Sequence, residues 1–277
     1  AKAAEADSKG KVVVTTDGPP SEIDIDKQVS ILENVIATMP DAIVISSTSS
    51  DATVPAVEDA MAKGIPVITI DNRLNTDKFT SFLATDHSLG ASMAAEAMAK
   101  DWEEMGIDPT GKKVIVISSV AGTAVNTART EGFINKIKEL APGIVVLETQ
   151  YGDNDITKAL SIAENTIAAN PDLIGIFGDN NHMGVGIAKA LAESGKYSEI
   201  VTYAFDANED QIKAVADGII NGLVVQDPFG MGYNGVMKAI EAIEGRQVQK
   251  DIVVDATIVT KENMQEPNIH KLLFPLE

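Results

Sequence analysis

The chain has no cysteine and a single tryptophan among its 277 residues. The absence of cysteine excludes disulfide bonds, thiolate catalysis and cysteine-ligated metal sites. It is compatible with an extracytoplasmic location without establishing one. Its three histidines, His87, His182 and His270, show neither HxH nor HExxH spacing. We therefore expect no metal site and no cofactor.

Basic residues are also scarce. Lys and Arg total 22 against 41 Asp and Glu, which gives a net charge of −19. A surface this acidic repels phosphate backbones, so no nucleic-acid partner is expected. No apolar run approaches the roughly 20 residues that a membrane-spanning helix needs.

Sequence motifs of common enzyme classes are missing as well. The sequence contains no GxSxG elbow, no P-loop and no GxGxxG after a first strand. Two carboxylates in one cleft could suggest a glycosidase, but Asp at strand ends is usual in parallel α/β folds. We expect that the protein is not an enzyme.

What the sequence does contain is a repeated βα unit. Short Val- and Ile-rich runs end at Asp, Asn, Gln or Ser, namely KVVVTTD, AIVISS, PVITID, KKVIVISS, LIGIFGDN, IVTYAFD and GLVVQDP. Continuous apolar strands are typical of a parallel sheet that helices cover on both faces. Ligands of such sheets bind beyond the carboxyl ends of the strands. The residues that end these strands are therefore the candidate site.

Helical patterns lie between the strands, among them residues 25–39, 124–140 and 156–169. The pattern also predicts a first strand over 11–17, a strand over 143–149 and a pair of strands between Ile252 and Thr260. Two successive βα series without a flexible linker predict an α/β protein of two lobes joined by several short crossovers.

The start of the sequence departs from this pattern. Residues 1–9 are typical of the end of a helix that stops at Gly10, and the strand expected before that helix is missing. No signal peptide or lipidation cysteine is seen. We expect a processed or shortened chain in which the first strand of lobe 1 is absent.

Six segments in register resemble the periplasmic sugar-binding proteins of ABC importers, of the ribose-binding type. They are residues 41–72, 84–100, 121–133, 170–191, 204–220 and 224–236. The resemblance implies the type I periplasmic-binding-protein architecture, two Rossmann-like lobes that close on a sugar. Lobe 1 would comprise residues 1–85 and 228–254, and lobe 2 residues 86–227 and 255–277. The crossovers of the hinge would lie near 85–86, 226–227 and 254–255.

The resemblance also implies a set of ligand-binding residues: Asp71, Asn72, Arg129, Asn180, Asp206 and Gln226. Asp71 would lie in lobe 1 and Gln226 at the hinge. The family commonly has Arg at position 72, so Asn72 departs from it, and Arg73 comes one residue late. An aromatic contact of the family falls at Asn154, so that stacking surface is missing. The departure at position 72 weakens the expectation of a pentose.

Each residue also has a purely structural interpretation. Asp206 could cap the helix that follows it, and Asp71 and Gln226 could simply end strands. Arg129 could be a solvated surface residue, and Asn180 a turn residue. His182 lies beside the cleft loop, where a loop or capping role is the alternative to ligand contact. Trp102 is expected to pack against the sheet.

The function expected from the resemblance is capture of a monosaccharide or polyol for an ABC permease. The protein would be a monomer, either periplasmic or extracellular and membrane-anchored. Presentation of the ligand to a receptor would look the same in the sequence. The alternative class is the effector-sensing core of a LacI-type regulator without its DNA-binding segment.

Overall fold

The computed structural model describes residues 1–20 and 24–275, in which helices alternate with strands. The helices are α1 (Lys2–Asp7), α2 (Ile25–Ala37), α3 (Val54–Ala62), α4 (His87–Glu104), α5 (Ala124–Leu140), α6 (Ile156–Ala169), α7 (Asn181–Ser194), α8 (Glu209–Ala216), α9 (Pro228–Ile243) and α10 (Pro267–Leu273). The strands are β1 (Ile43–Ile45), β2 (Val67–Ile70), β3 (Ser81–Thr85), β4 (Lys113–Ser118), β5 (Val145–Val146), β6 (Gln150–Tyr151), β7 (Leu173–Gly178), β8 (Val201–Phe205), β9 (Gly222–Val225), β10 (Asp251–Val254) and β11 (Thr257–Thr260). Among the described residues, no helix is both long and apolar enough to cross a membrane.

The chain divides into two compact units. Unit 1 comprises Ala1–Thr85 and Asp227–Asp255, and unit 2 comprises Asp86–Gln226 and Ala256–Glu277. The chain thus passes from one unit to the other three times. Two of these passages fall at helix N-caps, because Asp86 accepts from the Leu89 N–H and Asp227 from the Gly230 N–H.

Unit 1 is built on a parallel sheet in the order β1-β2-β3-β10. Val67 of β2 packs in a cluster with residues of α2 and α3, whereas its neighbour Ile68 packs against Ala239 of α9. Successive side chains of a strand point to opposite faces. Helices therefore cover both faces of this sheet.

Unit 2 is built on a sheet in the order β11-β9-β8-β7-β4-β5, with β6 also paired to β4. Its strands are parallel except β11, which runs antiparallel to β9. One core cluster joins α4 and α5 to the sheet, and the other joins α6, α7 and α8 to it. Trp102 is 1% exposed and its indole N–H donates to the Ile174 carbonyl at 3.0 Å, so its predicted packing against the sheet is confirmed.

The predicted fold class, an α/β protein with parallel sheets, is confirmed. Helices α5 and α6 have the predicted bounds. Their starts are fixed by side-chain caps, since Thr123 accepts from the Asn126 N–H and Asp155 from the Lys158 N–H. These caps are local signals, which is why the sequence predicts both helices well.

Two strand predictions are wrong. Residues 11–17 form no strand, and Val13 there is 83% exposed. An apolar run becomes a strand only when its backbone finds a partner, and this one pairs with none of the described strands. The expected strand over 143–149 is reduced to β5, and β6 begins only after residue 149. The pair of strands expected between Ile252 and Thr260 is present as β10 and β11, of which β10 joins β3 in unit 1 and β11 joins β9 in unit 2.

Candidate functional site

Polar side chains follow three neighbouring strands of unit 2, where those strands end. Gln226 follows β9, Asp206 follows β8, and Asp179 and Asn180 follow β7. The carboxyl ends of parallel strands meet at one edge of a sheet, so the sheet brings these side chains together. Asp206 has a left-handed backbone with φ 68°, and its N–H donates to the Val224 carbonyl at 2.9 Å.

Arg129 of α5 lies beneath this row. Its side chain is only 6% exposed, and Nη1 lies 3.8 Å from Oδ2 of Asp206. The same Nη1 donates to the Asp179 carbonyl at 2.7 Å, and the guanidinium carbon lies 4.0 Å from the ring centre of Phe205. A buried guanidinium held by an ion pair, a carbonyl and an aromatic face is fixed in position. The interpretation of Arg129 as a solvated surface residue is therefore wrong.

Gln226 and Asp206 are joined directly. Nε2 of Gln226 donates to Oδ1 of Asp206 at 2.6 Å. The Asp206 carboxylate thus has a donor on one oxygen and a cation beside the other. Its side chain keeps 30% exposure, so it remains open to a ligand. Asp206 does not cap α8, because Asn208 does so in a capping box with Gln211.

Asp179 and His87 contact the site and were not predicted as part of it. Asp179 is fully buried, and its carboxylate accepts from the Ser118 hydroxyl and from the Ser119 N–H at 2.8 Å. Burial raises the pKa of this carboxyl to about 6, although its hydrogen bonds and Arg129 oppose the rise. The signal that could have found Asp179 was its place at the end of the strand LIGIFG.

His87, the first residue of α4, accepts at Nδ1 from Nε of Arg129 at 3.4 Å. Its ring lies 6.4 Å from that of Phe205. Burial and then the neighbouring Arg129 charge lower the pKa of the imidazole to about 4, while Asp86 opposes the shift. Nothing local in the sequence points to this contact, because His87 and Arg129 are 42 residues apart.

Asn180 continues the row of polar residues after β7. It caps α7 by accepting from the Met183 N–H at 3.0 Å, so its capping role is real. Its Nδ2 also donates to Oδ1 of Asn154 at 2.7 Å. His182, the second residue of α7, places Nδ1 3.0 Å from the same oxygen.

Gly132 allows α5, the helix that carries Arg129, to lie close against α4. A Cβ at this position would lie 2.4 Å from the Ser88 carbonyl oxygen of α4. Only glycine permits this approach of the two helix backbones. The Arg-x-x-Gly spacing of the sequence therefore joins one candidate binding side chain, Arg129, to the contact that positions its helix.

Asp71 and Asn72 lie in unit 1, where β2 ends. Asp71 has φ 65°, its N–H donates to the Leu83 carbonyl at 2.8 Å, and Asn72 Nδ2 donates to its carboxylate at 3.2 Å. Arg73 is held elsewhere, because its Nη1 donates to Asp251 at 2.5 Å. Arg73 is thus engaged by unit 1 itself and does not replace the arginine that is missing at position 72.

The structure brings three of the six predicted residues into direct contact, Arg129, Asp206 and Gln226, with Asn180 one residue beyond the carbonyl that Arg129 binds. Together these groups offer a carboxylate acceptor and several fixed N–H donors, which suit the vicinal hydroxyls of a polyhydroxylated ring. None of the described residues forms a group of His, Asp or Glu side chains suited to a metal ion.

Each of the two α/β units has a largely parallel sheet with polar side chains after its strands. This architecture is typical of binding proteins made of two Rossmann-like lobes. The family described as periplasmic binding protein domain matches residues 1–247. The chain belongs to this family.

Relatives of known function share most of its length. The ribose import binding protein RbsB of Escherichia coli (strain K12) is 33% identical over 258 residues, 93% of this chain and 83% of that protein. A carbohydrate transporter solute-binding protein of Agrobacterium radiobacter, solved with D-arabinose, is 35% identical with a TM-score of 0.86, covering 98% of this chain and 91% of the other. An ABC transporter solute-binding protein of Agrobacterium vitis, solved with D-fucose, is 33% identical with a TM-score of 0.83, covering 98% and 93%.

Proposed function

We propose that the protein is an extracytoplasmic solute-binding protein that captures a monosaccharide or polyol for an ABC importer. It binds its ligand without chemical change and needs no cofactor. One observation carries the proposal: Asp206 is held between the Gln226 amide and the Arg129 guanidinium at the carboxyl edge of the unit 2 sheet. The matched relatives are binding proteins of transport systems, which favours import over the LacI-type alternative.

The chemistry of this edge supports a neutral, hydroxylated ligand. The Asp206 carboxylate can accept from two adjacent hydroxyls, and the forked donors of Arg129 fix the direction of the hydrogen bonds. A hydrogen bond to a charged group contributes about 1.5–3 kcal/mol. An epimer that misplaces one hydroxyl leaves a desolvated charge without a partner, so discrimination between epimers follows.

Asp71 and Asn72 complete the proposed set, as the family resemblance implies. The three passages of the chain, after Thr85, Gln226 and Asp255, would serve as the hinge. Ligand contacts from both units would favour a closed state, which a permease then recognises. We propose a monomer in the periplasm or anchored outside the membrane.

A thermal-shift screen against pentoses, hexoses, polyols and inositols tests the proposal. A ligand that binds only the folded state raises Tm by mass action. We expect a rise of several degrees with one sugar and a much smaller rise with its epimers. If no member of the four ligand classes raises Tm, the proposal fails. Small-angle scattering with and without the ligand tests closure, for which we expect a smaller radius of gyration.

A further inference from the structure

His87 lies against one edge of the Arg129 guanidinium. Its Nδ1 is 3.4 Å from Nε and 3.4 Å from Nη2 of Arg129, so both nitrogens of that edge face the imidazole. The remaining nitrogen, Nη1, donates to the Asp179 carbonyl at 2.7 Å and lies 3.8 Å from Oδ2 of Asp206. The planar guanidinium is therefore held from two edges, by His87 on one and by the Asp179 carbonyl on the other.

These two contacts determine which donors Arg129 keeps for a ligand. A guanidinium has five N–H groups in one plane. One N–H on each of Nε and Nη2 is directed at His87, and one on Nη1 is directed at the Asp179 carbonyl. One N–H of Nη1 and one of Nη2 remain, side by side at the end of the group. The direction in which this remaining pair points depends on His87.

The imidazole of His87 is in the state that this contact needs. To accept at Nδ1 the ring must be neutral and carry its proton on Nε2. Burial and then the Arg129 charge lower the pKa of the ring to about 4, although Asp86 opposes the shift, so the ring is neutral near pH 7. Nε2 is buried and makes no hydrogen bond among residues 1–20 and 24–275. Within that part of the chain, the contact with Arg129 alone orients the ring by hydrogen bonding.

The packing of α4 on α5 brings the two side chains together. His87 is the first residue of α4, and Asp86 caps the start of that helix. The next residue, Ser88, meets α5 at Gly132, where a Cβ would lie 2.4 Å from the Ser88 carbonyl oxygen. Arg129 lies three residues before Gly132 on the same helix. Both side chains are thus carried by packed helices, which hold a contact more precisely than loops do.

We infer that His87 is a positioning residue of the binding site, which sets ligand affinity by holding the Arg129 guanidinium in line beside Asp206. His87 acts through Arg129 and needs no contact with the ligand. The inference rests on the proposed function and goes beyond it, because it gives a histidine of α4 a role in binding. Without an acceptor at this edge the long arginine side chain samples other orientations. We expect about a fivefold loss of affinity.

Two substitutions separate the acceptor of His87 from its ring. His87→Phe keeps a ring near Phe205, whose ring centre lies 6.4 Å from that of the imidazole, but it removes the acceptor. His87→Asn removes the ring and keeps an acceptor, because Oδ1 of asparagine is bonded to Cγ just as Nδ1 of histidine is. We expect His87→Phe to bind at least about fivefold more weakly than the parent, and His87→Asn to bind within about twofold of it. Equal losses in both variants, or unchanged affinity in His87→Phe, overturn the inference.

Titration calorimetry of the complete chain measures these affinities. The parent is first titrated with D-ribose, D-arabinose, D-fucose, D-allose and myo-inositol, and the compound that binds most tightly is then used for every variant. The control is His270→Phe, the same substitution on α10, where the imidazole packs against Phe274 with ring centres 4.9 Å apart. This control should leave the affinity unchanged.

Nuclear magnetic resonance reports the contact without any ligand. The sequence has three arginines and three histidines, so few side-chain signals need to be assigned. The Nε–H of Arg129 should exchange with water at least about tenfold faster in His87→Phe than in the parent or in His87→Asn. The nitrogen shifts of His87 should show a neutral ring with its proton on Nε2. A proton on Nδ1, or an exchange rate that His87→Phe leaves unchanged, overturns the inference.

The inference and the proposed function fail differently. If the parent binds none of these compounds and no other sugar or polyol, the proposed function is wrong, and the role of His87 in binding falls with it. If the parent binds a sugar and His87→Phe binds it equally well, the sugar-binding function stands and His87 is not a positioning residue.

Discussion

Gln226 donates a 2.6 Å hydrogen bond to Asp206, and the two residues end neighbouring strands of the unit 2 sheet. The two residues are 20 positions apart in the sequence, so no local motif brings their side chains together. The pair exists only because β8 and β9 are adjacent and parallel. The sheet register therefore determines which polar side chains meet at the candidate site.

Replacing Gln226 with Glu tests this pair. The change places two carboxylates in contact, and such a pair resists full ionisation. We expect ligand affinity to fall at least about tenfold at pH 8 and to recover in part at pH 5, where the pair shares a proton. Titration calorimetry at both pH values measures this. Gln226→Met is the control, which should lose affinity without recovering it in acid.

Arg129→Lys tests the forked guanidinium. Lysine keeps the charge but cannot serve Asp206 and the Asp179 carbonyl in the same geometry. We expect affinity to fall at least about tenfold, and the unliganded protein to lose about 1–2 kcal/mol because a buried carbonyl loses its donor. Calorimetry and denaturant unfolding report the two effects. Unchanged affinity in a folded variant would remove Arg129 from the proposed site.

Asp179→Asn tests the buried carboxyl. Because the folded pKa of about 6 exceeds the ordinary 3.8, the folded protein binds the proton more readily between these values. The stability that Asp179 contributes is thus present below pH 3.8 and is lost as pH rises through 6. Unfolding experiments from pH 7.5 to 4.5 should show the parent gaining up to about 2 kcal/mol relative to the variant as pH falls. A constant difference would contradict the raised pKa.

His87→Phe tests a group whose pKa the fold lowers instead of raising. The folded pKa of about 4 lies below the ordinary 6.5, so the unfolded chain binds more protons between these values. The contribution of His87 is present above pH 6.5 and is lost as pH falls through 4. The parent should lose up to about 3 kcal/mol relative to this variant over that range. Asp179 and His87 therefore give the free energy of unfolding opposite pH dependences, which largely cancel in the parent. Each contribution is seen only when one of the two residues is replaced.

Gly132→Ala tests the contact of α4 with α5. The added methyl group meets the Ser88 backbone, which is no flexible side chain and cannot move aside alone. We expect a loss of about 1–3 kcal/mol in stability and a weaker affinity, because Arg129 lies on the same helix. Thermal unfolding and ligand titration check both. Gly18→Ala is the control for the methyl group itself, since nothing lies within 4 Å there and its φ is not in the left-handed region.

Local signals and non-local contacts differ in how far the sequence predicts them. The helical pattern predicts α5 to the residue, and the Thr123 cap that fixes its start in the structure is equally local. The strand ends at Asp206 and Gln226 are visible in the sequence as polar residues after apolar runs. The strand at 11–17 was predicted wrongly, because strand formation depends on a partner that a local apolar pattern does not reveal.

The candidate site shows the same division. The resemblance supplied Arg129 and Asp206, yet the sequence alone suggested that Arg129 could be solvated. Its burial follows from contacts with His87 and with the Asp179 carbonyl, 42 and 50 residues away. Such contacts arise from packing of α4, α5 and the end of β7, which no spacing rule encodes.

The two strand-ending aspartates, Asp71 and Asp206, both adopt left-handed backbones. Glycine would relieve about 1 kcal/mol of conformational cost at each position, but it would remove the carboxylate. At Asp206 the loss would also leave the buried Arg129 guanidinium without its carboxylate partner and the Gln226 amide without its acceptor. The left-handed backbone at Asp206 is therefore retained together with the ion pair, and a substitution that relieves the one destroys the other.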